Sequence, residues 1–157
     1  MPLHVKAEQA CNPTAAQKYF SISNLQAAYD ALERCEYVDN LSGETYGRLA
    51  YLISYGYGKY SSNTERIEAT LHLYVESAAH DSEHGMNVLI QEFEANNEFI
   101  NLQDDKVVDC LRALENKHGE ARQHGVYSCV PPRYQRKRKA LGVTSGERTQ
   151  AQPLRPT

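Results

Sequence analysis

His72, Glu76 and His80 recur at every fourth position, with Glu83 and His84 close behind. On one α-helix that spacing stacks the three side chains along one face. Imidazole and carboxylate ligands suit zinc or non-haem iron, and Asp81 with His84 repeats the three-residue spacing found in di-iron bundles. The helical wheel points elsewhere. With Ile67 set at zero, Leu71, Tyr74 and Ala78 cluster within about 40°, while His72, Glu76 and His80 fall near roughly 140°, 180° and 220°. The histidine–glutamate row is therefore expected on the solvent side, opposite the core stripe. A bundle metal site also needs ligands from more than one helix, and no second matching set is present. No metal and no cofactor is assigned; a metal-dependent helical enzyme is kept as an alternative.

Other catalytic patterns are sparse. His118 and His124 flank Gly119 and Gly125, and Cys129 follows. That leaves a Cys–His pairing without an orienting third group or an oxyanion hole. There is no G-x-S-x-G elbow, P-loop or dinucleotide fingerprint. No catalytic residue is assigned, and the chain is expected not to be an enzyme.

Binding chemistry is better represented. Arg133, Tyr134, Arg136, Lys137, Arg138 and Lys139 form a basic cluster of the kind that meets phosphate backbones or acidic protein faces. Pro131-Pro132-Arg133-Tyr134 also fits the P-P-x-Y pattern read by WW domains as polyproline II. Upstream, Tyr46, Tyr51, Tyr55, Tyr57 and Tyr60 are denser than one helix can bury. Tyr51 and Tyr55, four apart, should form a second face with aromatic anchors for a protein partner. Glu65, Glu68, Glu76 and Glu83, or Glu92, Glu94 and Glu98 with Asp104, Asp105 and Asp109, could imitate a phosphate array; an ordinary solvated surface is the plainer reading.

Charge is segregated along the chain. Residues 131–157 carry seven basic side chains and one acid, leaving ten basic and nineteen acidic residues in 1–130. Each half can attract a partner of opposite sign. Two regions follow: an acidic helical domain over 1–130 and a basic flexible tail over 131–157. The four cysteines, Cys11, Cys35, Cys110 and Cys129, form no C-x-x-C pair and read as reduced thiols. With no apolar run long enough to span a bilayer and no apolar signal region after Met1, no membrane partner is expected and the location is expected to be cytoplasmic.

Helical periodicity must position these groups. Asn12-Pro13 should open a helix ending near Phe20. Ser23 with Gln26 should cap a second, with Leu25, Ala28, Tyr29, Leu32 and Cys35 inward. Ser42 should cap a third with Tyr46, Leu49, Ala50, Ile53 and Tyr57 inward. Ser62 with Glu65 should cap the next, Asp81 another with Met86, Leu89, Ile90 and Phe93, and Asp104 the last with Val107, Leu111 and Leu114. Gly119 should end that helix, and Val126–Val130 should be extended before Pro131-Pro132. The fold class is all-α: a bundle of four to five helices with a basic, largely irregular C-terminal tail. The expected function is a non-catalytic binding protein. Its body contacts a protein partner and its tail adds an electrostatic contact. A nucleic-acid-associated protein using the tail on phosphates is the alternative, and self-association stays open.

Overall fold

The computed structural model of the 157-residue chain describes residues 10–95 and 104–136, apart from the side chains of 104 and 105. Seven α-helices lie in this part: α1 (Pro13–Ser21), α2 (Leu25–Leu32), α3 (Gly43–Ser54), α4 (Asn63–Ala79), α5 (Glu83–Ala95), α6 (Asp104–Arg112) and α7 (Gly119–Cys129). Short 3-10 turns follow α2 (Glu33–Tyr37) and α7 (Pro132–Tyr134), and the described residues contain no strand. The all-helical expectation holds. The helix count exceeds the four or five expected.

Polar residues set the helix starts. Asn12 accepts the Ala15 N–H, with Pro13 at the first helical position. Ser42 caps α3 through the Thr45 N–H, and Ser62 caps α4 through the Glu65 N–H. Two caps fall one residue later than expected. Asn24, not Ser23, accepts the Ala27 N–H, while Ser23 takes a left-handed φ of 59°. Ser82, not Asp81, accepts the Gly85 N–H, and Asp81 has φ 70°. The released Asp81 carboxylate instead accepts the Gly119 N–H at 3.0 Å and ties the start of α7 to the α4–α5 turn.

α4 is the centre of the packing, with α3, α5 and α7 against it. Every residue from Ala69 to Ala79 is buried except His72. The inward residues of α3 (Tyr46, Leu49, Ala50, Ile53) and α5 (Met86, Leu89, Ile90, Phe93) are buried as their spacing requires, whereas Tyr57, expected on the α3 stripe, lies past the helix end and is half-buried. Small residues bring these helices together. The Ser77 hydroxyl donates to the Gly43 carbonyl at 2.7 Å. A Cβ on Gly85 would stand 2.0 Å from the Ser77 oxygen, so only glycine allows this approach.

The C-terminal third departs most from expectation. Gly119 does not close a helix: α6 ends at Arg112, and Gly119, with φ 62°, opens α7. Val126–Cys129, expected as extended, form the last turn of α7. α7 carries no apolar stripe; Arg122 and Val126 are its buried residues. Its anchor is polar. The fully buried Arg122 guanidinium donates from Nε to Ala78 O (3.0 Å), from Nη2 to Ser82 O (3.2 Å), and from Nη1 to Lys117 O (3.0 Å) and the Glu83 carboxylate (3.1 Å). A buried guanidinium is tolerated when its N–H groups find acceptors of this kind.

The cysteine expectation is also corrected. Cys11 is bonded to Cys35 and Cys110 to Cys129, and no cysteine is free. The first bond ties the entry to α1 to the turn after α2. The second ties α6 to α7. Pairing depends on which helices meet in space, and sequence spacing alone does not reveal that.

Candidate functional site

The fourth-position row on α4 is not a solvated face. Glu76 is buried, with 1 % of its side chain exposed. Its carboxylate accepts the Tyr127 hydroxyl at 2.9 Å and lies 3.8 Å from Arg136 Nη2. His80 Nδ1 donates to the Glu76 carbonyl at 2.9 Å, and the Gln123 amide meets His80 Nε2 at 3.1 Å. His72 Nε2 meets the Arg133 carbonyl at 3.2 Å. The wheel failed because α7 and residues 131–136 cover the second side of α4. This arrangement gives both imidazoles protein partners. Among the described residues, no three His, Cys, Asp or Glu side chains are grouped to hold a metal ion.

The start of the basic segment belongs to the body. Tyr134, expected as an exposed partner contact, is fully buried and meets the Phe93 ring edge-on at 5.8 Å between centroids. Pro131-Pro132-Arg133-Tyr134 therefore presents no accessible tyrosine to a WW domain in this fold. Arg136 is likewise inside, with 9 % of its side chain exposed. It donates to Glu36 O at 2.8 Å and to the Asp39 carboxylate, and its guanidinium lies over the Tyr46 ring. Gln135 fixes the turn, donating to Tyr127 O and Val130 O at 2.8 Å each. Arg133 stays largely exposed and pairs with Glu68 at 3.1 Å. Lys137, Arg138 and Lys139 lie outside the described residues, as do residues 140–157.

Tyr51 and Tyr55 do form the second face of α3. They are 42 % and 67 % exposed, and their rings stack with centroids 5.6 Å apart. Phe20 of α1 tilts against Tyr51 at 6.5 Å, and the Arg48 guanidinium covers Phe20. Ile22, 69 % exposed, follows α1. The result is an aromatic ledge on the α1–α3 side. Large apolar side chains in solvent that already hold one another in place suit a binding surface, because little side-chain freedom remains to be lost on contact.

A cleft elsewhere on the surface was not foreseen. An open cleft of roughly 910 Å³ lies between the α2 end with its 3-10 turn and the loop after α3. Tyr29, Tyr37, Tyr57 and Tyr60 line it together with Glu33 and Glu36. Tyr29 and Tyr57 stack at 5.9 Å, and Gly58 (φ 85°) brings backbone against the Tyr29 hydroxyl, where a Cβ would stand 2.8 Å away. Arg66 holds the loop, donating to the carbonyls of Ile53, Tyr57 and Gly58 with its guanidinium over the Tyr60 ring. Burial, then Glu33, Glu36 and Asp30, push the Tyr29 phenol up to about 12. Burial also raises the Glu36 carboxyl above its usual range, against the pull of Arg136. The density of tyrosine was the one sequence signal for this cleft. Its assembly from residues 29–37 and 56–60 was not legible.

The acidic rows are only partly free. Glu68 and Glu83 pair with Arg133 and Arg122, Glu94 pairs with Arg112, and Glu76 is buried. Glu98 and the side chains of Asp104 and Asp105 lie outside the described residues. No family model, curated protein or solved structure matches the chain.

Proposed function

We propose that this protein is a non-catalytic binding module whose ledge of Tyr51, Tyr55 and Phe20 docks on a protein partner, with Lys137, Arg138 and Lys139 adding an electrostatic contact. The observation that carries the reading is the stacked, solvent-facing Tyr51–Tyr55 pair, braced by Phe20. Rigid aromatic anchors of this kind dominate binding energy at interfaces. The internal pairing of Arg133 and Arg136 supports giving the electrostatic role to Lys137, Arg138 and Lys139 instead. Two disulfides support work in an oxidising compartment over the cytoplasmic setting expected from reduced thiols. No helix among the described residues is long and apolar enough to cross a membrane.

The test is affinity capture from native host material with the full chain and with Tyr51→Ala/Tyr55→Ala. Both side chains are outside the core, so the melting temperature should change little. The partner should be recovered with the natural chain and reduced at least tenfold with the variant. Equal recovery by both overturns the proposal.

A further inference from the structure

The aromatic ledge makes no use of the tyrosine cleft. Its roughly 910 Å³ falls in the range of about 300–1,000 Å³ usual for ligand clefts. We propose that this cleft binds a neutral carbohydrate, with sugar rings laid on Tyr37 and its neighbouring tyrosines and sugar hydroxyls bonded to Glu33, Glu36, Arg34 and Lys59. This goes beyond the protein-docking reading above and does not depend on it.

The rings supply the surface. Tyr29 and Tyr57 hold each other in a stack, and Arg66 lies over Tyr60. Tyr37, the fourth tyrosine of the lining, is 67 % exposed. Three braced rings beside an open one make a wall that loses little freedom when a ligand arrives. The C–H face of a sugar ring packs on such a wall through dispersion and burial of apolar area.

The polar groups select the ligand. Glu33 and Glu36 accept hydrogen bonds, and Arg34 and Lys59 donate them. Asp30 and Arg66 add one charge of each sign near Tyr29, and Arg136, which donates to Glu36 O, is matched by Asp39. The cleft is therefore close to neutral. A phosphate or sulfate ester would need cations in excess, and a cationic ligand would need carboxylates in excess. An apolar ligand would strip water from charged side chains and replace none of it. A sugar hydroxyl both donates and accepts, so it suits both kinds of group. A proline-rich segment, another guest of aromatic grooves, offers carbonyls but few N–H donors, which leaves the carboxylates unserved. The side chains of Glu33, Arg34 and Lys59 make no hydrogen bond or ion pair among the described residues, so their capacity is open to a ligand.

Isothermal titration calorimetry of the purified full chain with neutral tetrasaccharides of glucose, mannose, galactose and N-acetylglucosamine tests this. At least one should bind with a Kd of about 1 mM or tighter. Tyr37→Ala and Glu33→Gln should each weaken it about tenfold. Both side chains are exposed, so each variant should keep the natural melting temperature. Tyr51→Ala/Tyr55→Ala should bind the sugar unchanged, which separates this site from the ledge. Absence of binding by every neutral tetrasaccharide at about 10 mM overturns the proposal, as does full affinity in Tyr37→Ala. Tighter binding of a heparin tetrasaccharide or of a proline decamer than of every neutral sugar also overturns it.

Discussion

Replacing Tyr134 by alanine should cost as much as removing a central core residue, although the position sits in a segment that reads as tail. The side chain is fully buried and meets Phe93 edge-on. A buried tyrosine removes on the order of 150 Å² from water, worth about 4 kcal/mol at roughly 25 cal/mol per Å². Loss of the edge-to-face contact adds about 0.5–1.5 kcal/mol, and partial collapse of the cavity returns some of the total. The expected cost is about 3–5 kcal/mol, a large share of the roughly 5–15 kcal/mol that holds a domain folded. Equilibrium urea unfolding followed by far-ultraviolet circular dichroism, with disulfides intact, measures it. Arg133→Ala is the control next door: its pair with Glu68 is exposed and worth at most about 1 kcal/mol. If Tyr134→Ala falls within 1 kcal/mol of the natural chain, residues 131–136 are not docked, and the packing of α4 described above is wrong.

Two further outcomes follow from the covalent and ionisable groups. Alkylation without reductant should add no label to the unfolded protein, and prior reduction should add four. Replacing Cys110 and Cys129 by serine should cost about 2–4 kcal/mol; four labels before reduction would contradict the pairing. At high pH the fold should lose stability. Burial and neighbouring carboxylates raise Tyr29 from 10.0 to about 12, so the folded state keeps a proton that the unfolded chain releases first. That stabilisation is complete below pH 10 and declines as pH climbs towards about 12. Tyrosinate absorbance should show phenols that ionise later in the native than in the unfolded protein; coincident titrations would refute it.

Periodicity and capping chemistry made α1 to α5 readable, because an amphipathic stripe needs only local spacing and one buried side. Leu49, Ile53, Leu71, Leu89 and Phe93 are buried where that spacing puts them. The stacked Tyr51–Tyr55 face was legible for the same reason. The rule breaks where a helix is covered on two sides or anchored by a polar group. Glu76 reads as solvent-facing until Tyr127 of α7 and Arg136 close over it. α7 itself is held by Arg122 and a disulfide, and a hydrophobic pattern registers neither.

Linear order thus settled which stretches coil and which side chains each coil could bury, since both follow from backbone hydrogen bonding and a 3.6-residue repeat. Long-range meetings settled the rest: Cys11 with Cys35, Arg136 with Asp39 across the fold, and a cleft shared by Tyr29 and Tyr57. Such contacts depend on how helices pack, and no window of neighbouring residues encodes that.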